Sequence, residues 1–363
     1  MSRPPLTICW YISDYGFGHA SRSIAMIRAI TSAMGVRVLV RTGGPASFVR
    51  ESLPGIAVHV GSNDIGVVLK DRVPEVDRPR TEQALNTWIG GWERYLTDER
   101  RFCEEHGVDL IVSDIAPQPF LVAESLGIPG IGVSNFTWHS IFASLFPGHP
   151  ALDQIQEAYA AADLGLVLPF DDGMEVFSKR RRIGLIAREI TESRSVLRRQ
   201  YGLDEDRIVV YLGPGMDCPD LSPLVIQHLS DAGVTCVVST AVETRVRNLI
   251  RIPAGETESQ NYIGMSDLVV AKGGYSTVSE AVRARVPLVL FQRNGFYEDH
   301  LFIDTVVAGG IGKEISGDEY RDGAWIADLD RLGDYRDHFD TLGQPYTTDG
   351  IAALLSSIVE VIS

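Results

Sequence analysis

Cysteine is scarce in this chain. Its four residues, Cys9, Cys103, Cys218 and Cys236, are scattered over 363 positions, which excludes a disulfide framework and a paired-cysteine zinc site. Cys9 and Cys236 fall in apolar runs, so buried reduced thiols are expected. Long apolar stretches are also missing. No run reaches the roughly 18 residues of a membrane-spanning helix, and Met1–Pro5 leads into a strand-like run without the basic flank and apolar core of a secretory leader. The expectation is a cytoplasmic protein without stable membrane insertion. Positive charge is in deficit: 33 Lys and Arg against 48 Asp and Glu give a net charge of −15, which argues against broad nucleic-acid binding. There is no G-x-x-x-x-G-K-[ST] loop and no G-x-G-x-x-G turn, so a nucleotide would have to be held in another way. H-E-x-x-H and EF-hand patterns are absent too, and neither a metal nor a cofactor is expected.

What the chain does have is apolar residues, at 45%, and 35 glycines, a composition that fits an α/β protein. Its length exceeds one ordinary core and suggests two domains. Leu6–Ile12, Val36–Val40, Val108–Val112, Gly130–Val133 and Leu164–Leu168 read as strands of the first half. Ile208–Leu212, Val234–Ser239, Asp267–Val270 and Val286–Phe291 read as strands of the second, with Arg247–Ile252 extended. Helical spacing runs over Ala20–Ala33, Leu221–Leu229, His300–Val307 and Gly350–Ile362. A helix carrying Leu85, Trp88, Ile89, Trp92, Tyr95 and Leu96 is expected to continue to Glu105, its aromatics at packing positions. The basic run Lys179–Arg182 reads as a solvated linker face ahead of a boundary near Ile186–Thr191. The predicted division is residues 1–188, residues 189–345, and a C-terminal helix over 346–363 that packs back on the first domain.

Strand–glycine-loop–helix units place ligands beyond the carboxyl ends of their strands. In the first half that rim gathers Asp14, Gly16, Gly18 and His19 after the first strand, Asp114 after D-L-I-V, and Ser134, Asn135, Thr137 and His139 after the strand at Gly130–Val133. An imidazole such as His19 can take a proton from an attacking hydroxyl near neutral pH; its ordinary alternative is a helix-start histidine bonded to backbone. Arg22, one turn on, can touch an anionic ligand or make a solvent salt bridge. Asp114 and Asn135 can equally be turn residues bonded to their own backbone. No G-x-S-x-G elbow surrounds Ser134, so a serine hydrolase is not indicated.

The most informative stretch of the second half is A-K-G-G-Y-S-T-V-S-E-A-V-R-A, Ala271–Ala284, lying between two buried strands. Gly273 and Gly274 occupy the strand-to-helix turn, where backbone can approach a ligand closely. Ser276 or Thr277 is the expected helix cap, and the free N–H groups and dipole of the first turn suit a phosphate. Thr277 and Glu280 also form a T-x-x-E capping box, an alternative use for that glutamate. Gly213, opening G-P-G-M-D, permits a tight loop at another strand end.

Taken together, Y-G-F-G-H-A-S-R-S (Tyr15–Ser23), D-L-I-V-S-D (Asp109–Asp114), G-V-S-N-F-T-W (Gly132–Trp138), A-K-G-G-Y-S-T-V-S-E-A (Ala271–Ala281) and the aromatic and acidic segment after Phe291 resemble the GT-B glycosyltransferases. The resemblance is to the MurG-like members and, more closely, to the N-terminal glycosyltransferase-like region of plant-type L-arabinokinases. It implies two Rossmann-like domains facing a cleft, with an acceptor on the first and a nucleotide-diphosphate-sugar donor on the second. By match to the MurG-like donor loop, Gly274, Ser276 and Thr277 lie near the diphosphate. Gly213 and Gly273 are counted to the same donor side, and Lys272 either balances phosphate charge or points to solvent. Glu280 falls where that family binds nucleotide ribose, and Gln292, Glu298 and Asp299 fall in its donor-sugar region. His19 matches the family's glycine-loop histidine and is the expected general base or acceptor-positioning residue; His19 or Asp114 helps remove the acceptor's proton, with Gly18, Arg22, Asn135 and His139 on the acceptor side. The implied reaction is inverting glycosyl transfer to an unknown acceptor. The sugar-kinase domain that follows in the arabinokinase family has no counterpart in this sequence, and no kinase activity is implied. NDP-sugar hydrolysis or epimerisation on the same scaffold, and a non-catalytic nucleotide-sugar sensor, stand as alternatives.

Overall fold

The computed structural model describes residues 5–70, 75–213, 222–238 and 248–363. The chain forms two compact units. One comprises residues up to 68, 77–186 and 344–363; the other comprises 69–76 and 187–343.

The first unit is built on β1 (Thr7–Ile12), β2 (Arg37–Thr42), β3 (Ala57–Val60), β4 (Leu110–Asp114), β5 (Gly130–Ser134), β6 (Leu164–Val167) and β7 (Arg180–Arg182). They lie in the order β3-β2-β1-β4-β5-β6-β7, all parallel. A parallel sheet covered on both faces needs strands that are apolar throughout, and every residue of β1, β4, β5 and β6 is buried. The second unit repeats the arrangement with β8 (Val209–Gly213), β9 (Thr235–Val238), β10 (Leu249–Arg251), β11 (Leu268–Lys272), β12 (Leu288–Phe291) and β13 (Gly312–Ile315), ordered β10-β9-β8-β11-β12-β13 and again all parallel. Each sheet reverses its strand order once, between β1 and β4 in the first and between β8 and β11 in the second. The crevice beyond the strand ends at such a reversal is where open α/β sheets bind ligands.

Several expectations change. The long aromatic helix is two helices, Arg78–Gly90 and Trp92–His106, broken at Gly91, although its aromatics do pack: Trp88 and Trp92 meet edge to face with ring centroids 5.2 Å apart. Arg180–Arg182, read as a linker face, is the edge strand β7, because an edge strand needs only one partner and can leave its side chains in solvent. The first helix begins at Phe17, three residues before the apolar periodicity does, so Gly18 and His19 lie in its first turn. The helix expected from His300 starts at Tyr297, which places Glu298 and Asp299 in its first turn as well. The last helix, Ile351–Ile362, belongs to the first unit, with Leu354 and Ile358 fully buried. The loop following Gly213, together with Cys218, Leu221, Ser239 and Arg247, lies outside the described residues. Among the described residues no helix is long and apolar enough to cross a membrane.

Candidate active site

At the strand reversal of the first unit, a positive φ of 75° at Gly16 turns the chain out of β1 and starts the helix Phe17–Ala33. That turn brings His19 and Arg22 over the last residue of β4, Asp114. His19 Nδ1 lies 2.8 Å from Asp114 Oδ1. Arg22 forks onto the same carboxylate, with Nε donating to Oδ2 at 2.8 Å and Nη2 to Oδ1 at 2.5 Å. Arg22 also donates from Nη1 to Asn135 Oδ1 at 2.7 Å and from Nη2 to Ser134 Oγ at 2.9 Å. Ser23 Oγ adds a bond to Asp114 Oδ2 at 3.0 Å, and Asn135 Nδ2 donates to the carbonyl of Phe170 at 3.0 Å. All of these side chains are buried.

Asp114 is therefore not a turn residue bonded to its own loop. Burial opposes its ionisation, but the Arg22 guanidinium and then His19 outweigh burial and hold the carboxyl at about 2. An acid that weakly basic does not collect a proton near neutral pH; it orients the imidazole instead. Arg22, expected to meet a ligand, is 2% exposed and spends its donors on Asp114, Asn135 and Ser134. Its place is beneath the rim of the sheet rather than on it. His139 lies in the first turn of the helix Trp138–Leu145; burial shifts its imidazole towards the neutral form, against the pull of Asp172 and Asp153.

The turn that carries Asp114 out of β4 is strained. Ile115 has a φ of 68°, a left-handed conformation costly for a β-branched residue. Tyr159 Oη donates to the Ile115 carbonyl while accepting from the backbone N–H of Trp138 at 3.0 Å, and Ser113 Oγ donates to the carbonyl of Ala116 at 2.7 Å. These bonds hold the turn in place against its strain.

Sequence reasoning missed Asp64. Its carboxylate accepts from the backbone N–H of Asp14 at 2.9 Å and from Trp138 Nε1 at 2.9 Å. Burial first, and Asp14 second, push it up to about 6 against an ordinary 3.8. An acid whose pKa is raised by folding weakens the fold as pH rises from about 4 to about 6, by up to about 3 kcal/mol at about 1.4 kcal/mol per pH unit. Urea unfolding at pH 4.5 and pH 7 is expected to show this loss in the native protein and not in Asp64→Asn; an equal pH dependence in both sinks the assignment.

In the second unit, Gly213 ends β8 and Lys272 ends β11, so both stand at the strand reversal. The following helix, Tyr275–Ala284, differs from expectation at its start. Gly274 is the N-cap and no side chain caps it, leaving Ser276 and Thr277 as the second and third helical residues. The T-x-x-E capping box does not form, because Thr277 already lies within the first turn. Gly273 is needed for close approach: a Cβ there would lie 2.9 Å from the Cα and carbonyl oxygen of Asp299. Gly273→Ala is expected to cost about 1–3 kcal/mol, read as a lowered unfolding midpoint; an unchanged midpoint shows that the turn can give way.

Glu280 is buried, and Arg188 Nε donates to its Oε1 at 2.7 Å. Arg188 also donates to the carbonyl of Thr257 and, from Nη2 at 2.9 Å, to Ser259 Oγ. Burial raises the Glu280 carboxyl above its ordinary range, although Arg188 pulls it down. Asp299 is held in the same way. It accepts from the backbone N–H of Arg293 at 2.7 Å and from that residue's Nη2 at 2.5 Å, while Glu298 Oε1 takes a further Nη2 bond at 2.9 Å. Burial raises the Asp299 carboxyl and Arg293 opposes the rise. Gln292 is exposed. Among the described residues no group of three or more His, Cys, Asp or Glu is arranged to hold a metal ion.

No protein-family model matches the chain. It is 29% identical to an L-arabinokinase of Arabidopsis thaliana over 336 residues, 90% of this chain and 32% of that protein, so it spans about a third of that relative's length. The glycosyltransferase of kitacinnamycin has a similar structure, with a TM-score of 0.69 at 15% identity over 99% of this chain and all of the other. The spinosyn rhamnosyltransferase complexed with thymidine diphosphate also reaches 0.69, at 14% identity over 98% and 100% of the two chains. These likenesses are of fold: the chain has the GT-B architecture of two Rossmann-like α/β domains.

Proposed function

We propose that the protein is a glycosyltransferase that moves a sugar from a nucleoside-diphosphate donor to a hydroxyl-bearing acceptor with inversion. The observation that carries this reading is His19, bonded through Nδ1 to a buried, ionised Asp114 at the strand reversal of its sheet. With Nδ1 engaged, Nε2 is the nitrogen left to act as base. The acceptor hydroxyl attacks the anomeric carbon, its proton passes to Nε2, and the bond from that carbon to the β-phosphate oxygen breaks with its electron pair going to the leaving diphosphate. On this reading the uncapped first turn of Tyr275–Ala284, with Gly274, Ser276 and Thr277, receives the diphosphate, and its N–H groups stabilise the developing charge. Lys272 adds a positive charge beside it and Gly213 leaves it room. The resemblance gives Glu280 to the ribose and Gln292, Glu298 and Asp299 to the donor sugar; of these Glu280 and Asp299 are buried against Arg188 and Arg293, so they act from beneath the site. Gly18 and His139 border the acceptor, with Asn135 buried beneath them beside Arg22, and no metal takes part in the reaction.

The thymidine diphosphate complex of the spinosyn rhamnosyltransferase, a protein of the same fold, supports a nucleotide donor. The test is incubation with a panel of NDP-sugars, with and without candidate acceptors, read by mass spectrometry. Sugar appearing on an acceptor is the expected result. Nucleotide release independent of acceptor replaces transfer with hydrolysis, sugar interconversion replaces it with epimerisation, and tight binding without turnover replaces it with sensing.

A further inference from the structure

Arg22 and Ser134 do more than fill the floor of the first unit. Three polar atoms crowd around Arg22 Nη2: Asp114 Oδ1 at 2.5 Å, Ser134 Oγ at 2.9 Å and His19 Nδ1 at 2.7 Å. A guanidinium nitrogen of this kind carries only two protons. If the carboxylate and the hydroxyl take them, none remains for the imidazole. His19 Nδ1 must then carry its own proton and donate it to Asp114 Oδ1 at 2.8 Å. The opposite arrangement, in which Nη2 donates to Nδ1, would set a lone pair of His19 against the Asp114 carboxylate and leave Ser134 Oγ without that donor. It would also put the ring proton on Nε2, where it cannot serve as a base.

We propose that Arg22 and Ser134 are positioning residues that fix the tautomer of His19, by consuming both protons of Arg22 Nη2 so that the ring proton stays on Nδ1 and the lone pair on Nε2. The catalytic meaning of this arrangement rests on the glycosyl-transfer reading; the tautomer itself does not. Ser134 is the sensitive member. It sits at the end of β5, 2% exposed, and its hydroxyl supplies the second acceptor. Removing that hydroxyl frees one Nη2 proton, and His19 Nδ1 is the nearest acceptor left to receive it. Arg22 itself stays anchored through Nε and Nη1 to Asp114 and Asn135, so the network loses one bond rather than its framework.

The test is nitrogen NMR of the imidazoles in the whole chain at about pH 9, where an ordinary histidine is neutral. The His19 signals are assigned by their loss in His19→Gln. In the native protein Nδ1 is expected at the protonated position and Nε2 at the unprotonated one; the reverse pattern overturns the proposal without any variant. In Ser134→Ala the pattern is expected to move towards Nε2–H, and an unchanged spectrum also overturns it. Because the readout needs no substrate, failure to find any transfer removes the proposed reaction while leaving the tautomer assignment standing; a wrong tautomer removes His19 as the base, whereas transfer itself is read separately by the sugar assay.

Discussion

Replacing His19 with glutamine is expected to lower kcat for glycosyl transfer by about 10²–10⁴, the usual worth of a positioned general base, while leaving affinity for the nucleotide donor nearly unchanged. The split follows from where the groups sit. His19 belongs to the first unit, bonded to Asp114, whereas the helix start proposed to hold the diphosphate belongs to the second. Glutamine keeps a polar group of similar reach but cannot accept a proton from a hydroxyl near neutral pH. Asp114→Asn is expected to act in the same direction, since an amide can offer Nδ1 a donor where the carboxylate offers only acceptors. The measurements are single-turnover transfer and donor binding by calorimetry, made on the same preparations. Full turnover in both variants removes the pair from the reaction; a large loss of donor affinity in His19→Gln means that the residue holds donor instead.

Arg22→Met is expected to destabilise the fold by about 3–5 kcal/mol, the cost of leaving a buried charge without its partner. Methionine fills much of the volume but cancels no charge, so Asp114 is left in an apolar setting with His19 and Ser23 as its remaining neighbours. The pH dependence separates this cause from simple loss of packing. In the native protein the Asp114 carboxyl lies at about 2 against an ordinary 3.8. A depressed acid contributes stability above its unfolded value, and that contribution is lost as pH falls from about 4 to about 2. Without Arg22 the carboxyl can relieve itself only by taking up a proton, so the gap between variant and native protein should narrow as the solution is acidified. Urea midpoints across pH 3 to 8 read this directly. A gap that does not change with pH assigns the loss to packing.

Local pattern exposed some of this molecule. Buried parallel strands declare themselves as apolar runs, which is why β1, β4, β5, β8 and β11 could be placed within a residue or two. β3 and β13 are only four residues each: Ala57–Val60 is an edge strand whose residues are exposed or half-buried, and Gly312–Ile315 carries two charged residues, so neither stands out as a buried apolar run. His19, Asp114 and Asn135 were legible one by one because each stands at or just beyond a strand end. Their arginine was legible only as an exposed group, because nothing near Arg22 in sequence announces a carboxylate 92 positions away. Arg188 gave no signal for the same reason; its partner Glu280 is also 92 residues distant. Arg293 had a weak one: it precedes Glu298 and Asp299 by five and six residues, at the start of a helix. The cap at Thr277 failed because helical hydroxyls look alike in sequence, and only the extended backbone of Gly274 fixes where the helix begins. Asp64 was hidden by its loop: its partners, the backbone N–H of Asp14 and Nε1 of Trp138, lie 50 and 74 positions away.

The return of the chain to its first unit has a bearing on synthesis. Leu185 pairs with Asp349, a Cβ on Gly184 would meet the carbonyl of Thr348 at 2.1 Å, and Arg181 Nη1 reaches Ser357 Oγ at 2.9 Å. The first unit thus closes on residues 344–363, whereas everything the second unit needs has been made by residue 343. On a ribosome, which delivers a chain from its N-terminus at about 5–20 residues per second, the half begun first is completed last. Its sheet waits, with the surface later covered by Leu354 and Ile358 still open, through the manufacture of an entire second domain.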